Sequence, residues 1–135
     1  MNNNKVYLGD VVEIQNHLRV PLSKMERQNR KGTIPYYGAT GVLDYIDQSI
    51  FTGKHILVAE DGSVLTEKDT PVLQLVDGKF WVSNHAHILS CNNEDDLYFI
   101  YYALQNTNIS EFVSGSVQLK LNKSNLLKIK IPFLQ

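Results

Sequence analysis

Residues 72–83 read Val72-Leu73-Gln74-Leu75-Val76-Asp77-Gly78-Lys79-Phe80-Trp81-Val82-Ser83. Two runs rich in β-branched, aliphatic and aromatic residues flank an Asp-Gly dipeptide, the strongest short-range hairpin signal in the chain. Upstream, His55-Ile56-Leu57-Val58-Ala59 is a short apolar run that fits a buried strand, and Asp61-Gly62 ends it with a turn signal. Ile34 to Tyr37, then Val42 to Ile46, bracket a turn carrying Gly38 and Gly41; Ala86 to Cys91, Val117 to Leu121 and Ile129 to Ile131 read as further strands. Gly9-Asp10 opens a short helix over Val11, Val12 and Ile14, and residues 15–33 read as a long loop or weak helix. One segment is strongly helical. Asn92 to Asp96 supplies capping and negative charge, and Leu97, Ile100, Tyr101 and Leu104 then recur on one face over Asp95 to Asn106. Short strands separated by turns predict an α/β (α+β) fold with a curved, mostly antiparallel or mixed sheet and few short helices.

At 135 residues with no internal repeat and no stretch of linker composition, the expected organisation is a single domain over 1–135. A content of 43% hydrophobic and 20% charged residues excludes a disordered chain. The longest mostly apolar stretch, Leu97 to Leu104, is too short to span a bilayer, and the polar start Met1-Asn2-Asn3-Asn4-Lys5 lacks a signal-peptide core. A single cysteine, Cys91, excludes an intramolecular disulfide and any multi-cysteine zinc module. A cytoplasmic protein without a membrane partner is expected.

The net charge of −1 rules out a globally basic nucleic-acid binder, but the charges are unevenly placed. Residues 19–31 and 120–130 hold nine basic residues and one acid, net +8; the remainder holds four basic residues and thirteen acids, net −9. If folding joins the two windows, they form one cationic face on an acidic body, suited to a polyanion met in one orientation. Two solvated loops pointing apart would give the same count.

No pattern supports an enzyme. Ser114-Gly115-Ser116 lacks the elbow of a nucleophile, and neither Gly-x-x-x-x-Gly-Lys nor Gly-x-Gly-x-x-Gly occurs. The tetrapeptide of a base methyltransferase is missing, and Glu60-Asp61 with Lys54 is the nearest approach to a nuclease cluster. His85-Ala86-His87 on a strand would place two imidazoles on one face, where His55 or Cys91 could complete a zinc site. Such a His-x-His without a spaced second pair is more commonly the mark of packed, hydrogen-bonded histidines, so no metal, cofactor or catalytic residue is assigned.

The residues suited to recognition lie elsewhere. Tyr36 and Tyr37 adjoin the Gly-Ala-Thr-Gly turn holding Thr40, where backbone can approach a partner closely. Following Ser116, the residues Gln118, Lys120 and Asn122 would alternate on a strand, presenting amide, ammonium and amide on one face. Gln and Asn suit adenine in the major groove and Lys suits guanine; a solvated edge strand would look the same.

The order of these segments resembles a known family. Ile34-Pro35-Tyr36-Tyr37-Gly38-Ala39-Thr40-Gly41, Tyr45-Ile46-Asp47, Ile56 to Gly62, Lys79 to His87, Ser114-Gly115-Ser116-Val117-Gln118 with Leu121, and Leu126 with Ile129, Ile131 and Pro132 are similar to a target recognition domain. Such domains occur in the specificity (S) subunits of type I restriction–modification systems. The resemblance covers Val6 to Pro132 and implies a non-catalytic reader of one half of a split double-stranded DNA target. It further implies partner adenine methyltransferase (M) subunits and, through them, a restriction (R) subunit. In the family the closing Ile-Pro segment leads into a spacer helix; the chain stops at Gln135, so that C-terminal helix is expected to be absent.

The expected DNA-binding residues are Arg27, Arg30, Lys31, Lys120 and Lys123 on phosphates or guanines, with Tyr37, Thr40, Ser116, Gln118 and Asn122 beside them. Two rivals remain open: an interaction-only orphan domain docking to a methyltransferase or S subunit, and a small metal-dependent enzyme at His85 and His87.

Overall fold

The structure, a computed structural model, describes residues 4–133. The first three residues of the polar start and the last two of the chain lie outside the described residues. Ten strands and three α-helices follow in the order β1 (Lys5–Tyr7), β2 (Glu13–Ile14), α1 (Lys24–Gln28), β3 (Lys31–Tyr37), β4 (Val42–Ile46), β5 (Phe51–Thr52), β6 (His55–Ala59), β7 (Leu73–Val76), β8 (Lys79–Val82), β9 (Ala86–Ser90), α2 (Glu94–Gln105), α3 (Lys123–Leu127) and β10 (Lys130–Pro132). They form two four-stranded sheets, β2-β9-β6-β7 and β4-β3-β8-β5, and a β1-β10 ribbon. All pairs are antiparallel except β3 with β8. This is the predicted mixed α/β architecture.

The first sheet is covered on both faces. Ile56 and Val58 of β6 and Leu89 of β9 pack with Leu97, Ile100 and Leu104 of α2, joined by Leu121, Leu126 and Ile129. Leu57 and Ile88, one position along, point the other way, against Phe51, Phe80 and Val82 of the second sheet. That explains why β6 is an unbroken apolar run: a central strand between two layers has no polar side. On the outer face of the second sheet Trp81, Tyr36 and Ile46 pack with Leu22.

Four expectations need correction. The Asp77-Gly78 signal does not make a hairpin, because β7 pairs with β6 while β8 pairs with β3 and β5. The true ribbon is longer: Phe51 faces Phe80, Thr52 faces Lys79, His55 faces Val76 and Val58 faces Leu73, one unbroken register that bends from one sheet into the other. Gly9-Asp10 does not open an α-helix; Leu8–Asp10 is a single 3-10 turn and Ile14 lies in β2, paired to Leu89. Residues 114–120 are a loop, not a strand. Finally, 15–33 is ordered: Gln15 to Arg19 bond along β9 and the Glu60 turn, Val20 to Gln28 strap the second sheet, and Lys31 begins β3. Trp81 donates its indole N–H to the Val20 carbonyl at 2.6 Å, and Leu22 donates its N–H to the Tyr36 hydroxyl at 3.0 Å. A capping box, in which Ser23 and Glu26 exchange hydrogen bonds at 3.0 and 3.1 Å, fixes α1.

Candidate nucleic-acid interface

Parallel pairing of β3 with β8 puts their C-terminal ends side by side, and the β6–β9 register brings Ala59 beside Ala86 at the same end. Four connecting segments therefore converge. Ser83 donates to the Tyr37 carbonyl at 2.9 Å, Glu60 to that of His85 at 2.9 Å, Leu121 to that of Glu60 at 2.7 Å and Gly62 to that of Leu119 at 3.0 Å. Ser114 and Lys120 close their loop with two reciprocal 2.8 Å hydrogen bonds. The Gly38–Gly41 turn, the Glu60–Gly62 turn, Ser83–His85 and the 114–120 loop thus become one connected surface, although up to about eighty positions separate them in sequence.

Buried and half-buried polar groups hold this surface from beneath. Arg19 donates to the Glu60 carboxylate at 2.8 Å and to the Ala86 carbonyl at 3.0 Å. His87 is fully buried; its Nε2 donates to the Leu121 carbonyl at 2.6 Å, so its Nδ1 accepts from the Asn16 amide at 2.8 Å. Burial pushes the His87 pKa down, against the opposing pull of the Leu121 carbonyl and the Glu60 carboxylate. Asn16 also accepts from the Ile88 N–H at 3.0 Å, extending the β2–β9 pairing with its side chain.

His85 and His87 do not share a face. His85 lies in the turn before β9 with its imidazole half exposed and Nδ1 at 2.8 Å from Asp61, whereas His87 is interior. The turn breaks the two-residue alternation on which the zinc reading depended. Among the described residues no three His, Cys, Asp or Glu side chains gather to hold a metal ion.

The expected DNA-binding residues fall into two groups. Thr40, Ser116, Gln118, Lys120, Asn122 and Lys123 are exposed on or next to the converged loops. Neither Lys120 nor Lys123 pairs with a carboxylate among the described residues. The Asn122 side chain instead caps α3, accepting from the Asn125 N–H at 2.8 Å, so no strand presents Gln118, Lys120 and Asn122 in a row. Tyr37 is half-buried, edge-on to Phe80 at 5.9 Å, and burial raises its hydroxyl pKa.

Arg27, Arg30 and Lys31 are elsewhere. Lys31 begins β3 at a bulge that sets both Lys31 and Ile34 opposite Ile46, and its ammonium reaches Asp44, the β4 partner of Tyr36. Here acids answer the charge. Asp44 takes Lys31 at 2.8 Å and Arg27 at 3.2 Å, and Asp47 takes Arg30 at 3.1 Å. The Lys31 hydrogen bond and the Tyr45 N–H lower the Asp44 pKa to about 2. Arg27 and Arg30 also lie over the rings of Tyr36 and Trp81 at 5.2 and 4.9 Å. The first basic window is thus divided: Arg19 reaches the converged loops, whereas Arg27, Arg30 and Lys31 are each tied to Asp44 or Asp47. Sequence reasoning missed Asn16, Arg19 and the Asp61–His85 pair, since a polar stretch without periodicity gives no sign of its partners.

This surface sits on a fold with known counterparts. The crystal structure of a type I restriction-modification system S subunit from M. genitalium superposes with a TM-score of 0.74 at 22% identity, covering 98% of this chain and 36% of the other. A putative type I restriction enzyme specificity subunit from Haemophilus influenzae is 37% identical over 125 residues, 93% of this chain and 31% of the relative. The specificity subunit of the EcoprrI type I restriction enzyme from Escherichia coli is 21% identical over 131 residues, 95% and 31% of the two chains. The chain therefore spans about a third of the length of these relatives. A family profile described as the type I restriction modification DNA specificity domain matches residues 2–133. With that match spanning nearly every position, the chain belongs to the family of type I restriction modification DNA specificity domains.

Proposed function

We propose that this chain is a non-catalytic, sequence-specific DNA-binding module, acting in the cytoplasm as one recognition unit of a type I specificity subunit. It reads one half of a bipartite duplex target for adenine methyltransferase (M) subunits and, through them, a restriction (R) subunit. The observation that carries this reading is the convergence of four segments with fixed backbones and exposed polar side chains, beside two lysines that pair with no carboxylate among the described residues. A reader needs both parts: phosphate contacts set register, and side chains on base edges carry sequence. Thr40, Ser116 and Gln118 address base edges, with Tyr37 at their rim; Lys120 and Lys123 meet phosphates, and Asn122 holds the start of α3 that carries Lys123. Arg27, Arg30 and Lys31, which share Asp44 and Asp47, form a second and weaker phosphate contact. Family membership supports the same reading.

Selection of bound sequences from a random duplex library at low salt tests it. A short asymmetric motif containing adenine is expected; recovery of no enriched motif would overturn the reading.

A further inference from the structure

Val117 stands at the tip of the 114–120 loop with its side chain fully exposed, at 101% of the reference accessibility, the highest value of any large apolar residue described. An isolated exposed valine is ordinary; this one is mounted on a stiff support. The base of the loop is closed twice between Ser114 and Lys120, tied to Gly62 through Leu119, and continued into Leu121, which is fully buried in the main core. Within the loop Gly115 has φ +96°, and the Gln118 carbonyl oxygen lies 2.2 Å from where a Cβ on Gly115 would be, so the turn folds back on its own backbone. The flanking side chains, Ser116 and Gln118, are polar and exposed.

A β-branched side chain on such a support loses little rotamer freedom when it is covered. If the loop enters the major groove, the apolar feature it meets there is the 5-methyl group of thymine, the one mark that a hydrogen-bonding side chain cannot read. We propose that Val117 is a specificity-determining residue that packs against a thymine 5-methyl group, while Ser116 and Gln118 address the adjoining base edges. This rests on the DNA-reading function proposed above and adds to it a chemical basis for one position of the target.

The test replaces each thymine of the selected duplex by deoxyuridine, which removes only the methyl group. At one thymine the wild-type chain should bind about fourfold more weakly, the effect of losing one buried methyl-sized group. Val117→Ala should bind the thymine and deoxyuridine duplexes equally at that position. Its unfolding midpoint should match wild type, since the side chain covers nothing. Two results would overturn the proposal: no thymine sensitive to the exchange, or a sensitive thymine whose penalty persists in Val117→Ala. A reduced affinity of Val117→Ala accompanied by DNA bending, with every thymine indifferent, would also overturn it and indicate a minor-groove wedge. Each of these leaves sequence-selective binding intact, whereas the absence of any selected motif would remove the DNA-reading function itself.

Discussion

Gly53 donates its N–H to the carbonyl of Gly78 at 3.0 Å, and both glycines are left-handed, with φ of +94° and +77°. They lie where the long β5-β6/β7-β8 ribbon bends from the second sheet into the first. A β-carbon at either position would meet nothing within 4 Å, so the requirement is one of backbone conformation alone. Without that bend the two sheets could not share Phe51, Leu57, Phe80 and Ile88 in one core.

Gly78→Ala and Gly53→Ala should therefore each cost about 1–2 kcal/mol, the penalty of a left-handed L-residue. Gly41→Ala is the control: its Cβ also meets nothing, and its φ lies outside the left-handed range. It should be neutral or slightly stabilising. Thermal unfolding of the three variants distinguishes backbone strain from loss of space, and an equal loss in all three would refute the argument.

The two cationic groups should respond differently to salt. Lys120→Ala and Lys123→Ala should each reduce the slope of log K against log salt by about 0.9, the value for one lost phosphate contact. Lys31, exposed but held by Asp44 at 2.8 Å, should reduce it by less. Arg27, held by Asp44, the Leu22 carbonyl and the Tyr36 ring, should change the slope less and lower the unfolding midpoint instead. Binding titrations at several salt concentrations decide this; an unchanged slope in Lys123→Ala removes that residue from the phosphate contacts.

Asn122 is a helix cap rather than a free amide. Asn122→Ala should lower stability by about 1 kcal/mol, while Asn122→Asp, which also caps, should retain nearly all of it. Urea denaturation of the two variants is the check, and equal losses would contradict the capping role.

The pH dependence of stability has a defined sign at His87. Burial lowers its pKa in the native state, so the unfolded chain takes up a proton near pH 6.5 before the folded one does. The contribution of the neutral imidazole is complete above that pH and is lost as pH falls below it. His87→Gln, which keeps a donor for Leu121 but cannot titrate, should show a flatter dependence of its urea midpoint between about pH 7.5 and 5.5. A variant as pH-sensitive as wild type would assign the effect to another group.

Cys91 is half-buried, with its thiol raised to about 11, first by burial and then by Asp96 and Glu13. Near pH 8 only about one thiol in a thousand is ionised, so alkylation of the folded protein should be slow and should accelerate sharply in denaturant. Rapid modification of the native protein would show that the thiol is open and acidic.

Patterns with a local cause were legible without coordinates. The helical face from Leu97 to Leu104 appears as α2, because its 3.6-residue repeat needs only one apolar neighbour. The run from His55 to Ala59 is a central strand, and Ile129 to Pro132 ends in β10. The order of short motifs led to the family resemblance, since order and spacing belong to the chain itself.

Local patterns misled where a long-range partner competed. Asp77-Gly78 satisfies the chemistry of a hairpin turn, but β7 pairs with β6 and β8 with β3 and β5, and the same left-handed glycine serves as a bend. Gln118 to Asn122 alternates like a strand, yet Asn122 found a helix to cap and Ser114 found Lys120.

The sequence by itself determined the fold class, the helix, the central strands and the family, all set by nearest neighbours and by order along the chain. Tertiary structure alone decided that Arg19 lies beneath the converged loops, bonded to Glu60, while Arg27, Arg30 and Lys31 are answered by Asp44 and Asp47. The reason is physical: the strand-to-strand pairings that join four distant segments also set the direction of each strand. A count of charges along a chain holds no information about which acid a folded cation will meet.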